Sequence, residues 1–256
     1  MKKSFAQERR NLIVAMVNRN GQVRVKDLSE QFNVTEDCIR KDLAILEKEA
    51  QLSRLYGGAV KVRINPHEFN VAQRLDKNTE IKRQIAVKAL SFINDGDTVF
   101  LDISTSNAQL SRLIAESNLK ITVVTNMVEV MLNLSTPSPA NLILIGGSFS
   151  PGKDGFIGAM SITALEPFRF DLAFMGVVGV DLYGNRVETY LIDDGLTKKA
   201  VMHSSRKKYM LLETQKFNNT APYKYARIDD FTGIISEGPL PESVAKALEQ
   251  YKIEVI

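Results

Sequence analysis

Cysteine occurs once in these 256 residues, tryptophan is absent, and histidine occurs twice. Cys38 alone can form neither an internal disulfide nor a cysteine-rich zinc site, and His67 and His203 stand far apart without ligand spacing. A reducing compartment, no structural metal and no cofactor are the expectation. Long apolar runs are missing too. The longest uncharged one, Leu172 to Val180, falls far short of the ~20 residues a membrane helix requires, and Asn11 to Val17 is short and flanked by Arg9, Arg10 and Arg19. The expectation is a cytoplasmic protein with no signal peptide and no membrane partner. With 44% hydrophobic and 25% charged residues, disordered, collagen-like and coiled-coil classes drop out. A chain of this length holds one large domain, or a small one joined to a medium one.

Charge is unevenly placed. Residues 1–63 carry 13 Lys/Arg against 8 Asp/Glu, a net +5, whereas the remainder carries 20 against 22. A basic end on a near-neutral body suggests an anionic partner at the N-terminus. Leu12, Ile13, Ala15, Met16 and Val17 keep helical spacing within Ala6–Asn20, and Asn20-Gly21 supplies a left-handed stop. Val25–Phe32 predicts a short second helix. Thr35 can cap a third, with Glu36 and Asp37 well placed in its first turn. At 100° per residue from Ile39, Leu43 falls near 40° and Leu46 near −20°, while Arg40, Asp37, Lys48 and Lys41 fall between about 100° and 200°. One face is core and the other is polar and largely basic. That is the helix-turn-helix arrangement, which offers its second helix to the DNA major groove. Leu52 to Lys61 then reads as a β-hairpin turning at Gly57-Gly58 with both glycines at positive φ, a basic wing for backbone phosphates.

Val34-Thr35-Glu36-Asp37-Cys38-Ile39-Arg40-Lys41-Asp42-Leu43 and Arg54-Leu55-Tyr56-Gly57-Gly58-Ala59 together resemble the DeoR family of bacterial transcriptional regulators. Their patterns there are V-S-x-x-T-I-R-R-D-L and R-x-[HY]-G-G-A. Cys38 stands where the family usually has threonine, and Lys41 where it has arginine. The resemblance implies DNA contacts from Thr35, Cys38, Arg40 and Lys41 on the helix-turn-helix, and from Arg54, Tyr56, Gly57, Gly58 and Lys61 on the wing.

Residues 64–79, with Asn65-Pro66 and scattered charge, read as a linker between a domain at 1–63 and one at 80–256. Beyond the linker, helical patterns alternate with short continuous apolar runs: Thr98–Leu101, Ile121–Val124, Leu142–Ile145, Leu172–Met175, Tyr209–Leu212, Gly233–Ile235 and Ile253–Ile256. Unalternating strands between helices predict a mainly parallel α/β sheet covered on both faces. Ligands of such sheets bind beyond the carboxyl ends of the strands. Asp102-Ile103-Ser104-Thr105-Ser106 places hydroxyls between a strand and a helix N-terminus, where an anion meets N–H groups and the helix dipole; plain capping by Ser104 or Ser106 is the alternative.

That loop, with Thr125-Asn126, Gly146-Gly147, Asp171 to Asp181 and Glu213 to Phe217, is similar to the DeoR effector domain, so the resemblance spans essentially the whole chain. It implies the ribose-5-phosphate isomerase fold and a phosphorylated sugar as effector. The effector candidates are Asp102, Ser104, Thr105, Ser106, Thr125, Asn126, Gly146, Gly147, Gly176 and Asp181, with Lys198 and Lys216 as cations for a phosphate. Gly147 to Asp154 matches G-x-x-x-x-G-K but ends in Asp where a nucleotide loop needs Ser or Thr, so Ser148–Gly155 reads instead as a mobile, lid-like loop. A sugar-phosphate isomerase is the rival reading, with Asp181 as its carboxylate, but Tyr183–Asp194 has only Gly184 and no flexible glycine cluster. The leading reading is a non-enzymatic repressor of a carbohydrate-uptake or catabolic operon. It would act on operator DNA as a homodimer or homotetramer, because one helix-turn-helix reads too few base pairs alone.

Overall fold

The first helix ends where Asn20-Gly21 predicts: α1 spans Lys2–Asn20, and Gly21 takes φ +78 with its N–H on the Val17 carbonyl, 2.8 Å away. The computed structural model describes residues 2–49, 51–60, 74–152, 154–217 and 219–256, so Lys61 and most of the linker expected at 64–79 lie outside the described residues. After β1 (Gln22–Arg24) come α2 (Val25–Phe32) and α3 (Glu36–Lys48). Asn33 turns between them at φ +50, a left-handed conformation that its short polar side chain tolerates. The Thr35 hydroxyl caps α3 by accepting the Cys38 N–H at 3.3 Å. Ile13, Leu28, Ile39, Leu43 and Leu46 bury their side chains in one small core, the stripe the helical period selects. Asp42 joins them inside, with its charge met by Arg9 at 2.6 Å and Arg10 at 3.8 Å.

The wing differs from expectation. It pairs β2 (Ser53–Leu55) with β3 (Gly58–Val60), and β1 adds a third strand in the order β1-β3-β2. Leu55 lies opposite Gly58, so Tyr56 and Gly57 form the turn, and of the two glycines only Gly57 has positive φ, +79. Gly58 answers a different constraint: a Cβ there would sit 2.1 Å from the Val23 carbonyl oxygen on the adjoining strand. The third strand, illegible as a three-residue segment, moves the turn by one position.

The larger domain runs α4 (Thr79–Leu90), β4 (Thr98–Leu101), α5 (Thr105–Glu116), β5 (Thr122–Thr125), α6 (Val128–Leu134) and β6 (Asn141–Leu144). It continues with β7 (Ser148–Phe149), β8 (Phe156–Ile157), α7 (Ala159–Leu165), β9 (Phe170–Gly176), β10 (Gly179–Asp181), β11 (Arg186–Thr189) and α8 (Ile192–His203). Last come β12 (Ser205–Leu211), β13 (Tyr223–Ala226), β14 (Gly233–Ile235), α9 (Glu242–Leu248) and β15 (Glu254–Val255). Seven strands form one parallel sheet in the order β15-β14-β12-β9-β4-β5-β6. Val99 and Leu101 face a core shared with α4, α5 and α6, and Phe100 faces the opposite one with α7, α8 and α9. Apolar residues on both sides of each strand explain the continuous runs.

Two small antiparallel elements escape the sequence reading. The stretch read as a mobile loop is a hairpin, β7 against β8, and β10-β11-β13 form a second sheet. Strand β11 is short and places Glu188 in a buried position, where its carboxylate accepts N–H groups from Arg186 and Ala221 at 2.6 and 2.7 Å. A charged residue at a buried strand position hides the apolar pattern that would betray it. No helix among the described residues is long and apolar enough to cross a membrane.

Candidate functional site

The parallel sheet reverses its direction of growth between β4 and β9: the chain adds β5 and β6 on one side and β12, β14 and β15 on the other. The loops leaving the two neighbouring strands therefore part, and a crevice opens beyond their carboxyl ends. There the protein has a cleft enclosing about 740 Å³ of empty space, solvent mouth included. Ser104 and Thr105 line it from the β4 side, Gly176 from the end of β9, Lys198 from α8, and Lys216 from the turn after β12. These are the sequence-predicted residues that the fold brings together. Gly176 is required at this point because a Cβ would lie 2.5 Å from the Ile103 carbonyl oxygen and 2.8 Å from the Ser104 Cβ.

Ser104 caps α5 by accepting the Asn107 N–H at 3.1 Å, so both the capping and the anion readings have a basis. The N–H groups of Thr105 and Ser106, ahead of that capped one, have no intrahelical acceptor, and Thr105 lines the cleft. Ser106, by contrast, is buried and lies behind the lining. Asn107 was missed: its Nδ2 donates to the carbonyls of Asp102 and Phe174, both at 2.8 Å, binding the helix start to the ends of β4 and β9. Nothing along the chain marks it, because its burial follows from the pairing of β4 with β9.

Asp102 and Lys198 form a buried ion pair beneath the cleft, and Asp194 stands 3.5 Å from the same ammonium. Asp102 also accepts the Gly176 N–H at 2.7 Å. Burial pushes the Asp102 carboxyl up to about 6 against the downward pull of Lys198. Burial pulls Lys198 down, yet its two carboxylate neighbours hold it above its ordinary value. Lys198 thus lines the cleft with a charge already partnered. Lys216 is different: its one carboxylate neighbour, Glu213, is 3.8 Å away, and desolvation with nearby Arg74, Lys82 and Lys198 brings it down to about 8. The cleft also contains Arg74 and Tyr190, to which no motif pointed, and Asp154, which closes the rejected nucleotide-loop match.

Five candidates stand elsewhere. Thr125 donates its hydroxyl to the Leu101 carbonyl at 2.7 Å, and Asn126 donates to the Phe156 carbonyl at 2.9 Å, so they tie β5 to β4 and to the β7–β8 hairpin. The Gly146 carbonyl accepts the Ser161 hydroxyl at 2.9 Å, and at Gly147 a Cβ would meet that same hydroxyl oxygen at 2.1 Å. These four follow β5 and β6, one and two strands beyond the switch point. Asp181 closes the β10–β11 turn by accepting the Tyr183 and Gly184 N–H groups at 3.1 and 2.9 Å. The isomerase reading loses its carboxylate there.

On the smaller domain, Thr35, Arg40 and Lys41 are exposed on one end and face of α3, with Arg40 held by Glu36 at 2.6 Å and Asp37 at 2.8 Å. Tyr56, fully exposed, and Gly57, exposed, project at the wing tip. Cys38 accepts the Arg9 guanidinium at 3.2 Å, and Arg54 pairs with Glu47 at 2.7 Å, fastening the wing to α3. Gly58 is buried among the three strands, away from the exposed face.

Residues 77–238 match the family model described as the DeoR C terminal sensor domain, and residues 9–64 match the DeoR-like helix-turn-helix domain. The chain is 30% identical over 253 residues to the glycerol-3-phosphate regulon repressor of Escherichia coli, covering 97% of each. It is 28% identical over 241 residues to the lactose phosphotransferase system repressor of Lactococcus lactis, covering 93% of this chain and 94% of that one. Among solved structures, ribose 5-phosphate isomerase A of Methanocaldococcus jannaschii is similar over 55% of each chain, with 16% identity and a TM-score of 0.41.

Proposed function

The chain belongs to the DeoR family of transcriptional regulators, and on that premise we propose that it represses a carbohydrate-uptake or catabolic operon and is released by a phosphorylated sugar in the cleft. Residues 1–63 serve as the DNA-binding domain, 64–79 as the linker and 80–256 as the sensing and oligomerising domain. The helix-turn-helix requires a second copy to read paired half-sites, so the working form is a homodimer or homotetramer. The observation that carries the effector class is the cleft itself: a helix N-terminus and the Thr105 side chain on one wall, and Lys216 and Arg74 on the others. A phosphate takes such donors bidentately, whereas a free sugar brings them no charge beyond the carboxylates Asp154 and Glu213 that they already face. The relatives' names, one citing glycerol 3-phosphate and one a phosphotransferase system, agree with that class. The cleft's carboxylates are engaged by cations, Asp102 and Asp194 with Lys198 and Asp154 with Arg74, which suits a sensor rather than a catalyst.

The test is operator release titrated with a panel of sugar phosphates beside their unphosphorylated parents. Release by the free sugars at equal concentration would refute the phosphate reading. On the DNA side, Arg40→Ala is expected to weaken operator binding by about 1–3 kcal/mol and flatten sequence preference, while random duplexes lose less. Equal losses on operator and random DNA would remove Arg40 from base readout.

A further inference from the structure

Among the described residues lining the cleft, Arg74 alone precedes α4, where the chain enters the sensor domain from the direction of the DNA-binding head. Its guanidinium lies 3.4 Å from Asp154 on the β7–β8 turn. Asp154 is firmly placed: it accepts the Ser150 hydroxyl, and its main-chain carbonyl accepts the Val128 N–H at 3.0 Å. The main chain of Arg74 is held as well. Lys82 of α4, only 2% exposed, donates its ammonium to the carbonyls of Arg74 and Lys77. A buried charge satisfied by two carbonyls of one short segment makes that segment move as a unit with whatever moves Arg74.

The Arg74–Asp154 pair itself is weak. The arginine side chain is 36% exposed, and a half-solvated pair at 3.4 Å contributes little and exchanges readily. A phosphate monoester beside α5 carries more charge than one carboxylate and offers the planar guanidinium two oxygens. We propose that Arg74 is a ligand-responsive latch: a phosphate ligand draws its side chain from Asp154, and the Lys82-held main chain passes that shift to the segment leading to the DNA-binding head. This rests on the phosphate-binding reading of the cleft and adds the route by which occupancy reaches the DNA. It supplies the differential contact that ligand-driven release requires, since the guanidinium faces Asp154 without ligand and the phosphate with it.

Hydrogen exchange on the full-length protein with inorganic phosphate as the probe tests it. In the wild type, phosphate at ten times its dissociation constant is expected to slow exchange about tenfold at residues 104–107 and to alter it at 74–82. In Arg74→Ala, taken to saturation, the response at 104–107 stays and that at 74–82 disappears. Asp154→Asn, which keeps an acceptor for Ser150 but removes the competing charge, should bind phosphate about two- to fivefold more tightly. An unchanged response at 74–82 in Arg74→Ala, or weaker phosphate binding by Asp154→Asn, overturns the latch. A wild-type response confined to 104–107 overturns the latch and leaves the phosphate site standing, whereas no response at either segment overturns both.

Discussion

Lys198→Met should destabilise the sensor domain by about 3–5 kcal/mol at neutral pH, because it strands buried carboxylates without their counter-ion. Asp102 is 1% exposed, and its remaining partner, the Gly176 N–H, cannot replace an ammonium. The loss should depend on pH with a defined sign. Burial already lifts the Asp102 carboxyl to about 6 with Lys198 in place, and removal of the lysine lifts it further. A carboxyl raised in the folded state contributes stability below its unfolded value, and that contribution fades as pH rises through the folded value. The deficit should therefore be smaller near pH 5 than near pH 8, and Asp102→Asn on top of Lys198→Met should recover most of it. Urea unfolding at both pH values checks this. Equal deficits at the two, or no recovery in the double variant, would show that the pair does not stabilise the domain in the way its geometry implies.

Lys216→Ala is expected to raise the dissociation constant of the phosphorylated effector about 10- to 150-fold, the equivalent of roughly 1.5–3 kcal/mol for one charge-assisted contact, while leaving operator binding in place. Protonation makes the prediction sharper. Lys216 sits at about 8, and a bound dianion favours its charged form. Binding by the wild type should then take up a proton above pH 8, and affinity should fall by up to about tenfold per pH unit there. The variant should lack that slope. Calorimetry in buffers of different ionisation enthalpy reads both effects together. A wild-type affinity that is flat from pH 7 to 9, or a variant that binds as tightly as wild type, would take Lys216 out of the site.

Most of the architecture was legible before any coordinates because it is written in local chemistry. The Ile39, Leu43 and Leu46 stripe, the Thr35 cap and the Gly21 stop depend only on neighbours within a turn or two, and all three are realised. The continuous apolar strands announced a sheet covered on both faces for the same reason. Family motifs added the identity of the loops that follow those strands. They could not say which loops meet.

That was decided by strand order. Because β4 pairs with β9 and not only with β5, the loops after Leu101 and Gly176 flank one crevice, and Lys216 arrives from β12 on the next strand out. Thr125, Asn126, Gly146 and Gly147 sit at equally good turns, but adjacent strands lie about 4.8 Å apart, and one or two such steps carry them away from the switch point. Partner choice was equally invisible along the chain. Lys198 and Lys216 look alike as isolated lysines, yet packing gives the first two carboxylates and the second a single distant one. Arg74 had no motif at all, and Gly58 was assigned to a turn although the strand beside it is what requires glycine. By itself, then, the sequence determined the helices and parallel strands of the two domains, their cores and the capped start of α5, all set within a few residues of chain. Tertiary structure alone decided which charges share a cleft and which are already neutralised, because those depend on distances between segments that lie far apart along the chain.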